Sequence, residues 1–277
     1  MNNLQKVSDL DTYLNNGGVR KLITNTLQGK DLTADRFIAA INAKATKDPK
    51  VLLCTPESIT SSVLFLASVG LLPDTAEGFA YLIPYSNKLE AKISYIGMIE
   101  LMYRSGNIKV IVADNVYEDD EFDYSSGSEN YIKHKRSLKP IAQRGNYIGT
   151  YALVKLSSGE DVWTFIDSDE MTKARNAGTS ANSPAWTKWA DEMRKKVAIK
   201  RLVKMLPKTT ARDLSIAVDY DNAINTGKVV EITPNEDGKV DYERDVKIKE
   251  AVISPEDQQK ADSDASLSAM VDAIKVD

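Results

Sequence analysis

The chain has 277 residues, 42% of them hydrophobic and 27% charged, a balance typical of a globular protein able to bury a sizeable core. One cysteine (Cys54) and one histidine (His134) exclude a disulfide framework or a Cys/His zinc site within one chain. The net charge of −4 is uneven: from Asp219 onward there are 15 acidic and 7 basic residues, leaving 25 acidic and 29 basic before it, so the folded part should be basic.

In chain order, residues 1–32 read as a weakly specified lead-in. A helix is expected after the Thr33 cap, with Phe37, Ile38, Ile41 and Ala45 on one face. A second should start at Thr55-Pro56, bury Ile59, Val63, Leu66 and Ala67, and end at Gly70. From Gly78 the period changes to two. "FAYLIPYSNKLEAKISYIG" predicts a hairpin turning at Ser86-Asn87-Lys88, with Leu89, Ala91, Ile93 and Tyr95 inward and Pro84 at an edge or bulge. "GMIELMYRSG" predicts a short helix with Met98, Ile99, Leu101 and Met102 inward. A strand "NIKVIVADNVY" follows, then an acidic turn, the polar stretch "NYIKHKRS", and a hairpin of "YIGTYALVKL" and "DVWTFI". A helix over about Asp167 to Arg175 leads into a polar loop.

The last regular element expected in the core is one long helix, "SPAWTKWADEMRKKVAIKRLVKMLP", from Ser183 to Pro207. At 100° per residue, Trp186, Trp189, Ala190, Met193 and Val197 share one side of its first half. In the second half Ala198, Ile199, Leu202, Val203 and Leu206 lie opposite, while Lys200, Arg201, Lys204 and Lys208 take the side the tryptophans held. Both tryptophans are therefore expected in the core. The fold class is α+β, with antiparallel hairpins, an N-terminal helical lobe and this basic helix at the end of the core. The division expected is lead-in 1–32, core 33–218, a disordered acidic linker 219–264, and a partner-docking helix 265–277 carrying Leu267, Met270, Val271 and Ile274.

Eight basic residues from Lys188 to Lys208 face only Asp191 and Glu192 nearby. Such an excess repels itself unless an anion is recruited, and a regular stripe of cations suits a polyanion. Arg194, Lys196, Lys200, Arg201 and Lys204 are the first candidates for nucleic-acid contact, then Lys88, Lys92, Arg104 and Lys109, with Lys133, Lys135, Arg136 and Arg144 as further basic positions. Tyr81, Tyr85 and Tyr103 are candidate stacking platforms for bases, with Tyr95 nearby.

Other chemistries find little support. "LQGKDL" lacks the first glycine and the Ser/Thr of a phosphate-binding loop. His134, in a polar alternating stretch, reads as a solvated strand residue. No apolar run approaches the length of a membrane span, and no signal-peptide pattern opens the chain, so the expected compartment is the cytoplasm. A metal-dependent nuclease remains a rival, since Glu118, Asp119, Asp120, Glu121 and Asp123 could gather Mg²⁺. A contiguous acidic run is more often a solvated turn. A nucleic-acid-binding scaffold that never anneals is another rival.

Two blocks carry a family resemblance. "GLLPDTAEGFAYLIPYSNKLEAKISYIGMIELMYRSGNI" resembles the signature region of the RecT family of phage and prophage single-strand annealing recombinases, with Gly-Leu-x-Pro, Tyr-Leu-Ile-Pro-Tyr, Tyr-x-Gly and Arg-Ser-Gly in order. The helix from Ser183 to Pro207 resembles the family's second block, and the match spans about Leu32 to Pro207. The resemblance implies a non-enzymatic protein that binds single-stranded DNA, pairs complementary strands without ATP and assembles into rings or helical filaments. It also implies annealed duplex as product and a phage exonuclease or host single-strand-binding protein docked through the C-terminal region. No cofactor is required on this reading, with Mg²⁺ left open as an accessory ion. The tail matches no family motif.

Overall fold

The computed structural model describes residues 6–178, 181–207, 212–226, 228–232 and 246–249. It is an α+β protein of helices and antiparallel strands, as the periodicities predict.

The N-terminal lobe packs α1 (Val7–Leu14), α2 (Gly17–Thr26), α3 (Ala34–Lys47) and α4 (Pro56–Val69). The lead-in expectation is corrected here: α1 and α2 bury Leu10, Leu14 and Ile23 completely. Their apolar residues are spread over two short helices separated by Asn15-Asn16, too few per segment to show a period. The caps of α3 and α4 follow their residues. Thr33 Oγ1 accepts from Arg36 N and Thr55 Oγ1 from Ser58 N. Gly70 closes α4 at φ 64°, and Leu71 N donates to the Leu66 carbonyl, the Schellman closure.

Strands β1 (Ala80–Tyr85) and β2 (Lys88–Ile93) form the expected hairpin. Leu89, Ala91 and Ile93 bury against α4, and Ser86 takes φ 50° in the turn. Helix α5 (Tyr95–Arg104) follows, and Gly97 lets it approach the backbone just before β1. A Cβ there would stand 2.2 Å from the Phe79 carbonyl oxygen, so the Tyr-Ile-Gly sequence has a packing reason.

The central sheet runs β3 (Ile108–Tyr117), β6 (Tyr147–Leu156), β7 (Asp161–Asp167) in that order. Between β3 and β6 the chain makes a second hairpin, β4 (Glu121–Ser125) and β5 (Tyr131–Lys135), in place of the predicted turn and polar stretch. Phe122 and Tyr124 of β4 each lie 5.0 Å, centroid to centroid, from Phe165 of β7, so the hairpin folds over one face of the sheet. The other face takes α8 (Ala190–Val203).

After α6 (Ser168–Asn176), the expected long helix is two: α7 (Pro184–Lys188) and α8 (Ala190–Val203), broken at Trp189 with φ −127° and ψ 36°. Helix α9 (Arg212–Asn225) then packs on α4 and α5, and Tyr220 stacks on Phe65 with centroids 3.5 Å apart. This corrects the boundary at 218: Asp219 lies inside α9, which buries Leu214, Val218, Tyr220 and Asp221. Strand β8 (Val229–Ile232) pairs with β9 (Val246–Lys249), and Ser61 Oγ donates to the Val230 carbonyl. Most of the acidic linker, Lys208 and the whole 265–277 segment lie outside the described residues. Among the described residues no helix is long and apolar enough to cross a membrane.

Candidate nucleic-acid interface

Register assembles one patch that the sequence presents as separate candidates. In the β1–β2 hairpin Tyr81 faces Lys92, Ile83 faces Glu90 and Tyr85 faces Lys88. The pleat puts all six on the side away from α4. Tyr81 and Tyr85 are 41% and 46% exposed, and Lys88 is exposed without an ion pair among the described residues. Two aromatic rings and the Lys88 ammonium thus meet solvent on one surface, beside the more covered pair of Lys92 and Glu90.

Lys92 ties that surface to α8 and α9. Its Nζ lies 3.2 Å from Glu90 and donates to Asn225 Oδ1 at 3.1 Å. Asn225 Nδ2 donates to Asp221 Oδ2 at 2.9 Å, one helical turn back on α9. Asp221 in turn receives Lys196 at 2.7 Å and Lys200 at 2.9 Å. Burial works to raise the Asp221 carboxyl, and the two ammoniums override it and hold it at about 2. Burial lowers the Lys196 ammonium against the pull of Asp221.

The cation stripe of α8 is therefore not uniform, and the expectation for Lys196 is corrected. It is buried and satisfied by Asp221, an acid 25 residues away that the charge count assigns to the tail. Lys200 shares the same carboxylate, and only 17% of its side chain is exposed. Arg194 bonds Asp191 at 2.8 Å and stacks 3.9 Å over the Tyr147 ring, joining α8 to the sheet. Arg201 bonds Glu170 at 2.9 Å on a half-exposed surface. Lys204 is exposed and has no ion pair among the described residues.

The remaining candidates lie elsewhere. Arg104 reaches Glu100 and the Gly70 carbonyl, at the end of α4 away from the hairpin turn. Tyr103 is 44% exposed and its hydroxyl accepts from Ile111 N. Lys109 is exposed on the edge strand β3. Across the β4–β5 hairpin Glu121 pairs with Lys135, and Lys133 stands opposite Asp123 and 5.1 Å from the Tyr131 ring. Arg136 is 3.5 Å from Asp114. Lys135 and Arg136 are thus each paired with an acid, Glu121 and Asp114, while Lys133 has no ion pair among the described residues.

Asp120 and Arg144 correct two further expectations. Arg144 is a buried residue, with its Nε 2.9 Å from Asp120 Oδ1 and its Nη2 bonded to Oδ2. Asp120 is fully enclosed and also accepts from Ser137 N at 2.8 Å, Tyr117 N at 2.9 Å and His134 Nε2 at 3.2 Å. Burial opposes its ionisation, but these donors hold the carboxyl well below the usual range. His134 is a buried partner of Asp120, not a solvated strand residue. The acids of the nuclease alternative are dispersed: Asp119 pairs with Lys139, Glu118 with Asn146 and Asp123 with the Tyr131 hydroxyl. Among the described residues no three His, Cys, Asp or Glu side chains gather into a metal-holding group.

Trp186 is buried as expected, but Trp189 is 66% exposed, because the break between α7 and α8 takes it off the buried face. No periodicity reports such a break. Asp221 and Asn225 are the other residues missed, though their i, i+4 spacing is a readable sign of one helix face.

The outer face of this hairpin on an α+β fold thus carries Tyr81, Tyr85, Lys88 and Lys92, with Glu90 among them. The chain belongs to the RecT family, whose family model matches residues 35–237. It is similar to Protein RecT of Escherichia coli (strain K12), at 29% identity over 222 residues, covering 77% of this chain and 81% of that protein. It is also similar to the uncharacterized protein YqaK of Bacillus subtilis (strain 168), at 29% identity over 85 residues, 31% of this chain and 30% of that one.

Proposed function

We propose that this chain is an ATP-independent single-strand annealing protein that holds single-stranded DNA on the outer face of the β1–β2 hairpin and the adjoining end of α8. The observation that carries the reading is the cross-strand register, Tyr81 to Lys92 and Tyr85 to Lys88, on a solvent-facing surface of a RecT-family chain. Lys88 and Lys204, exposed and free of ion pairs among the described residues, neutralise phosphates, while Lys92 and Lys200 brace the surface through Glu90, Asn225 and Asp221. The tyrosine rings support bases regardless of sequence. Phosphate contacts carry no sequence information, so binding is sequence-tolerant and weakens steeply with salt.

Annealing follows from screening. Cations reduce the repulsion between two strands while the bases stay free to pair, and no step requires a covalent intermediate or nucleotide hydrolysis. Repetition of the chain along a strand, through a heterologous interface that does not close, turns many weak grips into one stable filament. The C-terminal segment 265–277 is the proposed dock for an exonuclease or a single-strand-binding protein.

The test is to mix complementary labelled oligonucleotides with the purified protein in the absence of ATP. Accelerated duplex formation supports annealing. Shortened strands would make the protein a nuclease, and binding without pairing would make it a scaffold.

A further inference from the structure

We infer that the exposed indole of Trp189 is a base-stacking site at the head of α8, extending the proposed DNA surface beyond the hairpin. The inference rests on the single-strand-binding reading above and adds to it a specific contact.

Trp189 is held by backbone hydrogen bonds on both sides. Its N–H donates to the Ala185 carbonyl at 3.1 Å, closing α7, and its carbonyl accepts from Glu192 N and Met193 N at 3.1 Å, opening α8. Trp186, one turn earlier, is buried with the Arg175 guanidinium 5.6 Å from its ring. A continuous helix would put both indoles on the same buried side. The turn at Trp189 sends this one out, and 66% of the residue meets solvent. Exposing the largest apolar side chain at a fixed position forfeits burial, and a planar partner brought from solution would recover it.

The surrounding charge selects the partner. Asp191 and Glu192, the nearby acids, are already taken by Arg194 and Lys195. Lys188, immediately before the indole, is exposed and has no ion pair among the described residues. Lys195 also stands 5.6 Å from the ring centroid of Tyr95, the residue that follows the hairpin and opens α5. The exposed aromatic and ammonium pairs free of ion pairs among the described residues are therefore Tyr85 with Lys88 on the hairpin and Trp189 with Lys188 at the head of α8, while Lys92 and Lys195 are held by Glu90 and Glu192. Aromatic planes alternating with ammoniums are the recognition pattern for a single strand, with rings under bases and cations beside phosphates.

Two readouts separate this contact from the reading it rests on. Anisotropy of a labelled oligothymidylate reports strand binding, and quenching of tryptophan emission by unlabelled strand reports the indole. Trp163 and Trp186 are each 8% exposed, so Trp189 should dominate any quenching. Expected are quenching in the wild type that is lost in Trp189→Phe, and binding about tenfold weaker in Trp189→Ala. Trp189→Phe, which keeps a stacking plane, should retain most of the affinity. An abasic strand of equal length should bind wild type and Trp189→Ala alike. Strand binding with unquenched emission, or Trp189→Ala binding as tightly as wild type, overturns the inference and leaves the proposed function standing. A concentration-dependent emission shift without DNA also overturns it, because a second copy would then cover the indole. Absence of any strand binding at low salt overturns both.

Discussion

The carboxylate of Asp221 on α9 lies 2.7 Å from the ammonium of Lys196 on α8, with only 1% of the Asp221 side chain and 11% of the Lys196 side chain exposed. Lys200 shares the same carboxylate at 2.9 Å. This contact fastens the basic helix to the helix after it. Removing the acid strands two ammoniums against each other, so Asp221→Ala should cost about 3–5 kcal/mol of stability. Lys196→Met, which leaves Lys200 paired with Asp221, should cost markedly less. Urea denaturation of both variants checks the order, and equal losses would refute the central role of Asp221.

The same ion pair gives a pH dependence. Folding lowers the Asp221 carboxyl from its ordinary 3.8 to about 2. The folded state therefore binds this proton less readily than the unfolded chain, so the stabilisation is complete above about pH 4 and is lost as pH falls toward 2. Asp120 shifts in the same direction. Unfolding free energy followed from pH 6 downward should fall across that window, and Asp221→Asn should flatten the fall.

Asp120 behaves as a structural anchor. Asp120→Ala should cost about 3–5 kcal/mol, since it leaves Arg144 buried without its partner and frees the backbone donors of Tyr117 and Ser137. Calorimetry would measure the loss. If the variant melted like the wild type but lost a Mg²⁺-dependent strand cleavage, the acidic run would be a catalytic site instead.

Gly97→Ala tests the close approach of α5 to the backbone just before β1. The added Cβ meets the Phe79 carbonyl oxygen at 2.2 Å and Ile93 Cγ2 at 2.9 Å, so the helix must shift. A loss of about 1–3 kcal/mol is expected. Gly17→Ala, where nothing lies within 4 Å, is the control and should be neutral or slightly stabilising.

Local signals made much of the fold legible. Thr33, Thr55-Pro56 and Gly70 act within one turn of themselves, and the alternation of Leu89, Ala91 and Ile93 fixes which side of β2 is buried. What escaped depends on distant residues or on backbone breaks. Asp221 finds Lys196 only once α9 packs beside α8, and its acidic neighbours in sequence give it the look of tail. His134 and Arg144 look solvated until the end of β3, β5 and the segment before β6 converge on Asp120. Trp189 keeps helical spacing with Trp186, and only the turn between α7 and α8 separates their fates. For the proposed interface the residue types were readable, but only the cross-strand register puts Lys88, Lys92, Tyr81 and Tyr85 on one face.

The most direct test of the proposed DNA surface is the salt dependence of single-strand affinity in Lys88→Glu/Lys204→Glu, two exposed cations free of ion pairs among the described residues. Lys133→Glu/Lys135→Glu, in the β4–β5 hairpin on the central sheet, is the comparison. Every phosphate that is no longer neutralised should make the plot of log affinity against log salt shallower by about 0.7, so the first variant should bind more weakly with a slope reduced by about 1.4. The second should keep a slope close to that of the wild type. If Lys88→Glu/Lys204→Glu retained wild-type affinity and slope while Lys133→Glu/Lys135→Glu lost both, the strand would lie on the β4–β5 hairpin and the proposed surface would be contradicted.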